Sequence, residues 1–133
     1  MKILSWNVRG LESPDHKSIV KKLVSMHNSL DFLMLQEVKA IGFALDLSLD
    51  HIWKDAIKIY SNHPKGKGGV SLLLHPKWSK HIHDSGSSPC NKISWVVIKI
   101  NDSCFGIYIV YTSNDYKKSI QLWEWMTSLP NIP

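Results

Sequence analysis

A chain of 133 residues with 44% apolar side chains fits one domain with a core of its own. Lys and Arg number 16 against 11 Asp and Glu, giving a formal charge of +5, which suits a polyanionic partner without requiring one. Two cysteines, Cys90 and Cys104, exclude a disulfide-stapled scaffold; they are expected as unpaired thiols in an intracellular setting, nuclear or cytoplasmic, and no apolar run reaches membrane length.

Residues 2–8 read as a strand followed by a turn at Arg9-Gly10. Ser13 then fits a helix N-cap and Pro14 the first helical position. Ile19, Val20, Leu23, Val24 and His27 recur at helical spacing, marking one buried face to about Met26. The run from Phe32 to Gln36 is apolar enough for a strand buried on both faces. Strand, helix and strand make a β-α-β unit, so the two strands should be parallel with a right-handed crossover. Residues 41–49 suggest a short helix. Residues 54–75 suggest an antiparallel hairpin whose loop, 61–68, is rich in Gly and Lys. A short strand is expected near Trp78 to His83, a loop over 84–89, and a second hairpin of 93–100 and 105–111 turning at Asn101-Asp102. A last helix begins after Asp115, with Ile120, Leu122, Trp123, Met126 and Leu129 as its buried stripe.

Two strand ends carry the chemistry. The run from Phe32 ends abruptly on Glu37, and the first strand ends on Asn7. In open α/β sheets ligands collect at the carboxyl ends of strands. Two oxygen-bearing side chains there suggest a hard-cation site. The bland alternatives are a surface acid at Glu37 and a turn-capping Asn7. Elsewhere His75, His81, His83 and Cys90 match no zinc spacing, and solvated histidines are expected. The Lys65-Gly66-Lys67-Gly68-Gly69 loop precedes no helix, so it is a charged hairpin tip rather than a P-loop. Residues 54–83 carry six Lys and one acid, Asp55, while Arg9 is the only arginine of the chain. Most of the basic surface is therefore point charge rather than bidentate fork.

Ser5-Trp6-Asn7-Val8-Arg9-Gly10-Leu11, Leu35-Gln36-Glu37, Gly68-Gly69-Val70 and Tyr111-Thr112-Ser113-Asn114 resemble, in order and spacing, the start of the endonuclease/exonuclease/phosphatase (DNase I-like) family, in wording closest to plant non-LTR retrotransposon endonuclease domains. The resemblance implies half of a four-layered α/β sandwich, with one mixed sheet and helices on its outer face. It implies that Glu37 and Asn7 hold Mg²⁺, with Mn²⁺ as the alternative, and that Tyr111 and Asn114 contact the scissile phosphate. Ser113 stands where the family has Pro, and Tyr111 is equally well read as a half-buried core residue. Nucleic acid, DNA foremost, is the implied partner, met by Arg9, Lys65 and Lys67. The family's later Gly-Asp-Phe-Asn and Ser-Asp-His motifs have no counterpart. Residues 1–133 thus read as a truncated domain with little or no hydrolysis of its own, its inner sheet face uncovered and prone to self-association or to a partner chain. The competing expectation is a non-catalytic nucleic-acid-binding or interaction module that uses the basic 54–83 region; a third is a decayed product without function.

Overall fold

A computed structural model describes residues 1–27, 29–40, 42–60, 69–88, 92–112 and 115–128. The N-terminal strand β1 (Ile3–Asn7) pairs in parallel with β2 (Phe32–Gln36), and helix α1 (Pro14–Met26) makes the crossover that parallel neighbours require. Pro14 opens α1 as expected, but the Ser13 hydroxyl forms no capping bond. Helix α2 (Gly42–Ile52) follows, then β3 (Ile57–Tyr60) and β4 (Val70–Leu74), an antiparallel pair whose second strand lies beside β2. The order of this first sheet is β1-β2-β4-β3.

The expected single sheet is in fact two. A short 3₁₀ helix (Pro76–His81) leads into β5 (Ile82–Ser87), β6 (Ile93–Ile100) and β7 (Ser103–Val110), which form a separate antiparallel sheet in that order. The 3₁₀ helix occupies most of the stretch expected as a strand over 78–83. It begins at Pro76 with the His75 ring accepting the Lys77 amide at 3.0 Å, and it turns Trp78 inward. There the indole packs on Phe32 at 5.4 Å and on Phe105 at 6.1 Å, a stronger demand than strand propensity. Residues 84–87, expected as loop, belong to β5 because the backbone of β6 offers partners; a bulge between Ile82 and Asp84 sets their register.

The two sheets stack face to face. Phe32, Ile59, Val70, Leu72 and Leu74 of the first meet Val96, Ile98, Ile107 and Ile109 of the second. The inner face expected to lie bare is therefore covered, and self-association through it loses its physical basis. On the outer face of the first sheet, Leu33, Leu35 and Leu73 pack under α1 and α2 with Val20, Leu45 and Leu49. Helix α3 (Tyr116–Thr127), capped by the Asp115 carboxylate accepting the Lys117 amide at 3.0 Å, covers the second sheet through Leu122, Trp125 and Met126. The α/β class holds, as four layers of helix, sheet, sheet and helix. Three apolar positions do not bury as expected: Ile19 is 51% exposed, Trp123 48% and Ile120 37%. Trp125 takes the place of Ile120 and Trp123 against the sheet, and Leu129 lies outside the described residues.

Candidate active site

Period-two alternation assigns β7 residues to faces: Phe105, Ile107 and Ile109 face the first sheet, while Tyr108 and Val110 face α3. Tyr111, one residue past the strand, continues the first set and packs into the seam between the sheets. By the same rule Asn7 shares the inner face of β1 with Ile3 and Ser5. Glu37, however, should point outward with Leu33 and Leu35. It does not, because its φ of 54° interrupts the alternation. The carboxylate swings inward, and Tyr111 Oη donates to Glu37 Oε1 at 2.8 Å across 74 residues of sequence.

Asn7 completes the group. Its Oδ1 accepts the Arg9 amide at 3.2 Å, and its side chain lies close enough to the Glu37 carboxylate to help lower its pKa. The turn-capping role and the contact to Glu37 are thus both present in one residue. The bond from Tyr111 and then the Asn7 side chain hold the Glu37 carboxyl below the ordinary carboxylate range; slight burial opposes them, and the charges of Lys39 and Arg9 add to them. The same hydrogen bond, with burial, pushes the Tyr111 hydroxyl above its ordinary value, so it remains a donor.

Backbone bonds lace the rim together beyond the last ladder residues. Val8 donates to the Gln36 carbonyl at 3.0 Å, Gly10 to Glu37 at 2.7 Å, and Leu11 to Val38 at 2.8 Å. Val38 in turn donates to the Gly69 carbonyl at 3.3 Å, where φ of 92° calls for glycine. Segments read as separate motifs therefore meet at one corner: the turn after β1, the end of β2, the start of β4 and the end of β7. A cleft of about 380 Å³ beside them is lined by Trp6, Asn7, Arg9 and His16.

Of the candidate residues, Asn7, Glu37, Tyr111 and Arg9 come together here. Asn114, Lys65 and Lys67 lie outside the described residues, as do Ser113 and Cys90. The basic 54–83 segment is less available than its composition suggested. Lys58 is held by Asp46 and Asp50 at 3.4 and 3.7 Å, and Lys77 by Asp31 at 2.7 Å. Lys39 was missed: its charge acts on Glu37, yet nothing in the sequence but its place two residues on marks it. Among the described residues no cluster of three or more His, Cys, Asp or Glu forms. A single carboxylate with the Asn7 side chain beside it fits Mg²⁺, which keeps much of its water and takes few protein ligands, better than a cation that needs a full protein cage.

The fold and this corner together define an α/β sandwich with a polar, metal-compatible site at the strand ends. The family model described as "Endonuclease/Exonuclease/phosphatase family" matches residues 4–131, and the chain belongs to that family. Among solved structures it is similar to the "Endonuclease domain of TRAS1, a telomere-specific non-LTR retrotransposon", with a TM-score of 0.55 and 12% identity. That likeness covers 95% of this chain and 53% of the other, so the chain spans about half the length of its structural relative. No curated protein matches it. Among the described residues, no helix is long and apolar enough to cross a membrane.

Proposed function

We propose that the Glu37 corner is the cation-holding part of a Mg²⁺-dependent phosphodiester hydrolase site of endonuclease type, with nucleic acid, DNA foremost, as substrate. The reading rests on Asn7 and Tyr111 meeting the Glu37 carboxylate at the ends of three strands from two sheets. Glu37 would hold Mg²⁺ or Mn²⁺, with the Asn7 amide beside it. The ion, when bound, polarises a phosphoryl oxygen and steadies the leaving oxygen. Tyr111 keeps its proton, and a phosphate oxygen arriving beside Glu37 competes for that O–H as negative charge builds.

Among the described residues no second acid joins Glu37 at the corner. A positioned general base is worth roughly 10²–10⁴-fold, so we infer that this chain alone is a partial domain that binds better than it hydrolyses. Incubation of supercoiled plasmid and abasic duplex with Mg²⁺ tests this. Slow nicking that disappears in Glu37→Ala and on chelation is the expected outcome. Nicking that persists in Glu37→Ala would place the chemistry elsewhere, and rapid multiple turnover by the wild type would refute the partial-domain reading.

A further inference from the structure

Helices α1 and α2 cover the outer face of the first sheet through Val20, Leu45 and Leu49, yet they do not close against each other at the surface. Two clefts open between them, of about 520 and 490 Å³. The first sets Pro14 and Ser18 of α1 against Ala44 and Ser48 of α2, and the second sets Val24 against Ile52. The helices therefore run in the same direction, and small side chains where they meet leave the gap. His51 lines both clefts, so the two join end to end as one groove. From Pro14 to Ser25 it follows about three turns of α1, roughly 16 Å at the helical rise. None of its lining residues belongs to the Glu37 corner.

The two walls differ in chemistry. On α2, Leu47 is 52% exposed and Phe43, one turn before it, is 76% exposed, which makes an apolar ridge left in water. On α1 the rim is basic: Lys17 and Lys21 stand one turn apart, and Lys54 joins them on the second cleft. Among the described residues none of these three lysines forms an ion pair. Of the acids on the groove, Asp50 is taken by Lys58 at 3.7 Å, and Glu12 stands where the groove begins, away from Lys21 and Lys54.

We propose that this groove docks an acidic amphipathic α-helix of a partner protein, its apolar stripe on the Leu47 ridge and its carboxylates toward Lys17, Lys21 and Lys54. A third helix laid along the join of two others packs as helices do inside a core, ridge into groove. The apolar ridge supplies affinity, and the lysines select the sign and set the direction of the occupant. Nucleic acid matches less well, because a phosphate backbone answers the lysines but leaves Phe43 and Leu47 in water. The docking is independent of the reaction assigned to Glu37.

The test follows the ¹⁵N-labelled whole chain by NMR as two synthetic helix-stapled peptides of about three turns are added. Both carry Leu along one stripe; one has Glu and the other Lys at the flanking positions. Shifts with the Glu peptide should centre on Lys17, Lys21, Leu47 and His51 and spare Asn7 and Glu37. The Glu peptide should bind roughly tenfold more tightly than the Lys peptide at about 0.1 M salt. The double variant Lys17→Glu/Lys21→Glu should reverse that preference, an exchange that loss of structure does not produce. Leu47→Asp, at an exposed position, should melt as wild type does and weaken both peptides about tenfold or more. No localised shift with the Glu peptide, shifts centred on the Glu37 corner, equal affinity for both peptides, or binding untouched by Leu47→Asp would overturn the proposal. So would a DNA duplex that displaces the Glu peptide and loses affinity in the lysine double variant, because the groove would then be a nucleic-acid surface.

Discussion

The hydrogen bond between Tyr111 and Glu37 joins residues 74 positions apart and ties one sheet to the other. Its linkage to pH has a definite sign. A carboxyl whose folded pKa is depressed contributes stability that is present above its unfolded value, near 4.5 here, and is lost as pH falls through the folded value. Tyr111 has the opposite sense: its contribution is present below pH 10 and fades as pH rises beyond that. We expect Tyr111→Phe to move the Glu37 titration, followed by carboxyl NMR, upward toward the ordinary range, and to cost about 1 kcal/mol or less at pH 7. An unmoved titration would show that Tyr111 does not hold the acid. At the far end of β2, Asp31 is a structural counterpart. Its buried carboxylate accepts the Lys2 amide at 2.7 Å, the Trp78 indole at 3.1 Å and the Lys77 ammonium at 2.7 Å. Burial pulls its pKa up, but the bonds from Lys77, Lys2 and Trp78 together outweigh it and leave it lowered. Asp31→Ala leaves three donors facing a gap and should cost about 3 kcal/mol in urea unfolding at pH 7. The difference from wild type should shrink as pH falls below 3.8, the ordinary value, and through the lowered folded value.

Legibility in the sequence differed from element to element, for physical reasons. β2, β4 and β6 bury both faces, so their apolar runs declare them. β5 does not, because Asp84, Ser85, Gly86 and Ser87 carry no apolar alternation, and the strand exists through pairing with β6. Gly86 in particular reads as a loop residue, yet it is required by its cross-strand partner. A Cβ there would stand 2.9 Å from the Trp95 ring. Gly86→Ala should therefore destabilise by about 1–3 kcal/mol, measured by thermal unfolding, with Trp95 fluorescence reporting a displaced indole. A neutral result would mean that the ring shifts freely. In α3 the stripe was only partly legible, since helical spacing permits either Trp123 or Trp125 to face inward, and only the second sheet decides between them. The strand-end positions of Glu37 and Asn7 followed from where apolar runs stop. The inward swing of Glu37 did not, because a left-handed φ at a non-glycine residue has no sequence signature.

At the scale of the molecule, the decisive departure from the sequence reading is the second sheet. With it, the apolar face of β2 and β4 is sealed, and the metal-compatible corner lies on the seam rather than on an open rim. Phe32 stands at the centre of that seam beside Trp78, and truncation to Ala should cost about 3–5 kcal/mol. Tryptophan fluorescence and far-UV signals should still fall together if the sheets unfold as one unit; separated transitions would show two independent sheets. The central claim is that Asn7, Glu37 and Tyr111 form one cation-binding corner. Paramagnetic broadening by Mn²⁺, with NMR signals assigned along the whole chain, tests it most directly. Broadening should centre on Asn7, Glu37 and Tyr111, be relieved by excess Mg²⁺ and vanish in Glu37→Ala. Broadening centred elsewhere, or unchanged in Glu37→Ala, would contradict the site.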